Sequence, residues 1–65
     1  MKNKLYQAAV SHQQARRDEA LAVLDVYFNN PVGIADHSAL LDEINKWATQ
    51  LAEADEILNT LKENF

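Results

Sequence analysis

The sequence predicts an all-α fold, an antiparallel hairpin of two long helices that forms one domain over residues 1–65. Three observations predict it. The single proline and the single glycine, Pro31 and Gly33, stand together at the midpoint of the chain, and these residue types interrupt helices most strongly. The first half contains no helix-breaking residue, and the second half carries an apolar repeat of seven. We therefore expect helices at about 3–29 and 37–64.

The first helix is expected to end at Asn29, because Asn30 precedes proline and is driven out of the helical region. On a helical wheel of about 100° per residue, one side of this helix is apolar at both ends and polar in the middle. The apolar positions expected to face inward are Leu5, Tyr6, Ala9, Val10, Ala20, Leu21, Val23, Leu24, Tyr27 and Phe28. The polar positions between them are His12, Gln13, Arg16 and Arg17.

The second helix follows an unbroken heptad, with Asp36 as the expected N-cap and Ser38 as the alternative. Its a and d positions form an apolar seam of the coiled-coil type. These positions are His37, Ile44, Leu51, Leu58 and Phe65 at a, and Leu40, Trp47, Ala54 and Leu61 at d. Leu41, Ala48 and Ile57 widen the apolar stripe, and a wide stripe is typical of a helix with more than one neighbour.

A turn near Gly33 sets the register of the two antiparallel helices. It places Arg16 beside Gln50 and Glu53, and an Arg16–Glu53 ion pair is the specific expectation. We interpret Gln13, Arg16, Arg17 and Glu53 as a polar layer inside the seam that fixes the register, which is the usual role of such a layer. The alternative is that the polar residues of the first helix belong to a binding face.

A second stripe of small residues is expected on the outer side of the first helix, where Ala8, Ala15 and Ala22 recur every seven residues beside Val26. Small residues let helices approach closely, although alanine is also simply the best helix former. Taken with Leu41 and Ala48, the stripe would suit a homodimer, or a higher oligomer, built as a four-helix bundle.

The connection offers a second candidate binding region at the hairpin tip. Its polar candidates are Asn29, Asn30, Asp36 and His37, since loops held by rigid scaffolds often carry recognition. The alternative is that Val32 and Ile34 fold inward and close the end of the hairpin.

Size and composition favour a protein that needs a partner. A chain of 65 residues buries only about 60% of its unfolded surface and is marginally stable alone. There is no cysteine, which excludes a disulfide framework and suits a reducing cytoplasm. The net charge of −4 is concentrated in the second half, which holds seven acidic residues against two lysines. No apolar run is long enough for a membrane span, so we expect a cytoplasmic protein that binds no membrane.

We expect no catalytic, cofactor or metal site. The sequence contains no phosphate-binding loop, nucleophile elbow or clustered metal ligands, and its two histidines fall on different helices. Neighbouring carboxylates such as Asp42 and Glu43 point in different directions on a helix. An enzyme is therefore not expected.

The segment 27–37, read YFNNPVGIADH and followed by an acidic amphipathic helix, resembles short uncharacterised proteins of tailed bacteriophages, particularly large phages of marine bacteria. The resemblance implies a phage origin and expression in a host cytoplasm. A second resemblance is architectural: a small acidic hairpin that dimerises is similar to the plasmid Rop (Rom) protein, a four-helix bundle that binds paired RNA loops.

These observations lead to one leading hypothesis and two alternatives. The leading hypothesis is a protein-interaction module that binds a host or phage protein through its helix faces or the hairpin tip. The alternatives are a Rop-like RNA-binding bundle, which would use Lys2, Asn3, Lys4, Gln7 and Gln14, and a minor structural or assembly component of a virion.

Overall fold

Two antiparallel α-helices make up the described structure, which confirms the predicted fold class. The computed structural model describes residues 3–29 and 37–65, apart from the side chains of His37 and Ser38. Helix α1 spans Lys4–Asn29 and helix α2 spans His37–Asn64, within one residue of the predicted bounds. The hairpin is long and narrow, with extents of 49 × 14 × 14 Å. The expected N-cap Asp36, the tip residue Asn30 and the expected plug residues Val32 and Ile34 lie outside the described residues.

Asparagine side chains satisfy main-chain groups at three of the helix ends. The Oδ1 atom of Asn3 accepts a hydrogen bond from the main-chain N–H of Tyr6 at 2.8 Å, so Asn3 is the N-cap of α1. At the other end of α1, the Nδ2 atom of Asn29 donates to the carbonyl oxygen of Asp25 at 3.1 Å. The Nδ2 atom of Asn64 donates to the carbonyl oxygen of Thr60 at 2.7 Å near the end of α2.

The buried core between the helices is small. Among the described residues only Ala20, Leu24, Ala54 and Leu58 are buried, and the two alanines are 0% exposed. No described polar or charged side chain is buried. A core of two alanines and two leucines lets the helices lie close together, but it hides little apolar surface.

Several residues expected to face inward are exposed, and those expectations were wrong for the single hairpin. Leu5 is 80% exposed, Phe28 63% and Phe65 70%. Leu21 is 41% exposed, and His12 is also exposed. The reason is geometric: one partner helix covers only a narrow stripe of its neighbour, so Leu5, Leu21 and Phe28, at the margins of a broad apolar arc, stay in solvent. Phe65 is exposed because it lies beyond the end of α2.

Candidate interaction surface

Polar side chains from both helices meet along one edge of the hairpin, at its middle. Arg16 carries the network: its Nη2 atom donates to Glu53 Oε1 at 3.1 Å, and its Nη1 atom donates to Gln13 Oε1 at 2.8 Å. The predicted Arg16–Glu53 ion pair is therefore present. The side chains of Arg16 and Glu53 are 27% and 57% exposed, so the pair lies at the rim of the seam rather than inside it.

Gln50 extends the same edge and ties a side chain of α2 to the backbone of α1. Its Nε2 atom donates to the main-chain oxygen of Arg16 at 2.9 Å and to Glu19 Oε1 at 3.0 Å. Sequence reasoning placed Gln50 beside Arg16 but missed Glu19. A hydrogen bond to a fixed backbone atom locates the two helices relative to each other along their length. We call this group of residues, Gln13, Arg16, Glu19, Gln50 and Glu53, the first edge.

Arg17 was expected in the same polar layer, but it pairs elsewhere. Its Nε atom donates to Asp55 Oδ1 at 2.6 Å. Asp55 lies two residues beyond Glu53, and positions two apart on a helix point to different sides. The Arg17–Asp55 pair therefore marks the opposite edge of the hairpin, which we call the second edge. The residues expected in one polar layer therefore lie along two separate rims, one on each side of the buried alanines and leucines.

Replacing Arg16 with leucine is expected to change the free energy of unfolding by less than about 1 kcal/mol, because ion pairs at exposed rims contribute about 0–1 kcal/mol. The hydrogen bond that the Gln50 amide donates to the main-chain oxygen of Arg16 does not involve the Arg16 side chain and would remain. Urea unfolding followed by far-UV circular dichroism measures the change. Glu53→Gln serves as the matched control on the other helix, and a loss of more than about 2 kcal/mol in either variant would contradict a rim position.

An apolar face lies on the second edge, between the Arg17–Asp55 pair and the hairpin tip. On α2, Leu41 and Ala48 precede Asp55 at steps of seven and therefore share its side of the helix. On α1, Leu21 and Phe28 follow Arg17 toward the tip. Leu41 is 61% exposed and Phe28 63%, and Ala48 is exposed as well. We call Leu21, Phe28, Leu41 and Ala48 the apolar face.

The small-residue stripe of α1 does not belong to this face. Ala15, Ala22 and Val26 share one side of α1 with Glu19 at steps of three and four, and Glu19 bonds to Gln50 on the first edge. Ala8, Ala15 and Ala22 are exposed, and Val26 is 56% exposed. The stripe and the pair Leu41 and Ala48 therefore lie on different sides of the hairpin, and the four-helix bundle expected from them stays a prediction.

The remaining tip candidates are only partly described. Asn29 Nδ2 donates to Asp25 Oδ1 at 2.6 Å, so its amide is held within α1. On α2, the half-buried Trp47 has the Lys46 ammonium 5.1 Å from its ring centroid, which is a cation–π contact.

Across the described parts of both helices, His, Asp and Glu form no group of three that could hold a metal ion. Neither described helix is long and apolar enough to cross a membrane. Comparisons with protein-family models, with curated proteins and with solved structures found no match to this chain.

Proposed function

We propose that this chain is a small, non-enzymatic protein-interaction module of bacteriophage type that acts in the host cytoplasm. It associates with itself and binds a host or phage protein through its helix faces. One observation carries the proposal: large apolar side chains remain exposed on a hairpin in which only four of the described residues are buried. Exposed apolar patches rimmed by polar residues are typical of protein-binding surfaces.

The distribution of the exposed side chains supports this function over a passive surface. Isolated exposed leucines are ordinary, but the members of the apolar face lie together on one edge of two neighbouring helices. An amphipathic helix pair of this kind buries its remaining apolar side against further helices. The edges carry charged and amide groups, as the rim of an interface does.

A pull-down from bacterial lysate with a matched pair of variants tests the proposal. Leu41→Glu adds a carboxylate within the apolar face, and Thr60→Glu adds one at an exposed position of the same helix, seven residues after Glu53 and so on the side of the first edge. We expect the wild type and Thr60→Glu to retain the same protein after nuclease treatment, and Leu41→Glu to lose at least about tenfold of it, since burying an unpaired charge costs more than about 1.4 kcal/mol.

Two outcomes would contradict the proposal. Equal retention by both variants would show that the capture does not depend on the apolar face, either through direct contact or through self-association. Retention of RNA that disappears with nuclease and with rising salt would favour the Rop-like alternative, since counterion release makes nucleic-acid binding strongly salt-dependent.

A further inference from the structure

The surface along the second edge is divided along its length into an apolar half and a polar half. The half toward the tip is the apolar face of Leu21, Phe28, Leu41 and Ala48. The half toward the chain termini begins at the Arg17–Asp55 pair and is mainly polar. Its polar side chains are Gln14, Asn59 and Lys62, with Gln14 bonded to Asp18 at 3.1 Å, and the half-buried Val10 lies among them at the angular position of Phe28.

A partner that covers this whole surface must also have an apolar half and a polar half, arranged in the same order along the helices. Apolar groups have to meet the tip half, and polar or oppositely charged groups have to meet the other half, because a charge buried without a partner is strongly unfavourable. The second edge of this chain has such an apolar half and such a polar half. The second edge of a second copy therefore matches it when the apolar halves of the two copies lie at the same end.

Contact along the whole length of the hairpin buries more surface than contact at the tip alone. The hairpin extends 49 Å along its length. A staggered dimer that joins only the two tip halves would use about half of that length and would bury correspondingly less surface, whereas a stable interface removes about 800 Å² from each partner. A dimer in full overlap with its tips at opposite ends would place Leu21 and Phe28 on the partner's charged half.

We propose that a second copy of this chain covers the second edge, with both hairpin tips at the same end and the two-fold axis parallel to the helices. This inference rests on the self-association in the proposed function and specifies its geometry. The symmetry lays α1 of each copy over α2 of the other. Leu21 then lies over the small Ala48 of the second copy, and Phe28 lies over its Leu41.

Charge complementarity across the two-fold axis supports the same arrangement. Because α1 lies over α2 of the second copy, the guanidinium of Arg17 comes near the carboxylate of Asp55 in both copies. Each copy already joins these two groups at 2.6 Å. The dimer would therefore contain four alternating charges at one level, which stabilises the boundary between the apolar and polar halves more than a single exposed pair does.

Spin-label distances in the full chain test the geometry. The chain has no cysteine, so Asn45→Cys and Glu63→Cys each provide one labelling position per copy. Both residues are exposed, and they occupy the same angular position on α2, separated by about five turns or 27 Å. When the two-fold axis is parallel to the helices, the distance between two identical labels does not depend on height along the axis. We therefore expect the two variants to give the same inter-label distance within about 5 Å.

The opposite arrangement gives a different result and would overturn the proposal. With the tips at opposite ends, the distance depends on how far each label lies from the middle of the hairpin, and Glu63 lies much farther from it than Asn45. Rigid-helix geometry then separates the two measured distances by about 20 Å. Sedimentation equilibrium on the labelled and unlabelled proteins distinguishes the two levels of failure: a monomer at all concentrations rejects self-association itself, whereas a dimer with unequal distances rejects only this geometry.

Discussion

Replacing Leu24 with alanine is expected to lower the free energy of unfolding by about 2–5 kcal/mol, which is the range for truncating a buried leucine. Leu24 is 7% exposed and is one of only four buried residues in the described structure. In so small a core no neighbouring side chain can move to fill the cavity without leaving another one. Urea unfolding followed by far-UV circular dichroism, at several protein concentrations, measures the loss.

Leu21→Ala is the matched control, because it makes the same substitution on the same helix at a residue that is 41% exposed. The two variants should differ in how their effect depends on concentration. Loss of a contact between copies would weaken the proposed dimer, so the cost of Leu21→Ala should shrink on dilution, whereas the cost of Leu24→Ala should persist. Equal costs at every concentration would show that Leu24 is not a core residue of the single hairpin.

The sequence was sufficient to predict the helices and part of the contact pattern. Pro31 and Gly33 are the single proline and the single glycine of the sequence, and the absence of other helix breakers on either side explains why the predicted bounds agree with the described helices within one residue. Once the turn was placed, helix geometry alone brought Arg16 beside Gln50 and Glu53. Both contacts are present in the structure.

The depth of burial could not be predicted in the same way. A helical wheel treats a broad apolar arc as one inward surface, but a single partner helix covers only its central stripe. Leu21 and Phe28 lie at the margin of that arc, and they are exposed in the hairpin for this reason. Burial of these two side chains would require helices from another molecule, about which the sequence of one hairpin contains only indirect information.

The polar residues at the middle of the hairpin show a related limit. Arg16 and Arg17 are adjacent in sequence and were expected in one layer, yet they reach acidic residues on opposite edges. Long arginine side chains keep their charged ends in solvent while their methylene groups cover the core. Their final positions depended on which carboxylates were available at each rim. Asp55 could have been identified as the partner of Arg17 from its position beside the seam.

Replacing Ala54 with leucine is expected to destabilise the protein by about 1–3 kcal/mol, because extra methyl groups in a closely packed core force the surrounding backbone apart. Ala54 is 0% exposed, and so is Ala20 on the other helix. These two small side chains allow α1 and α2 to lie close enough for the rim contacts of Arg16 and Arg17. The variant should therefore lose stability and show a larger radius of gyration in small-angle scattering.

Ala52→Leu provides the control for Ala54→Leu, since Ala52 is exposed on the same helix and leucine has nearly the helix propensity of alanine. Its free energy of unfolding should stay within about 0.5 kcal/mol of the wild type. If Ala54→Leu were as stable as Ala52→Leu, the helices could separate without loss, and close approach at the alanines would not hold the hairpin together. A loss confined to Ala54→Leu would instead show that the small core sets the spacing on which both edges and the apolar face depend.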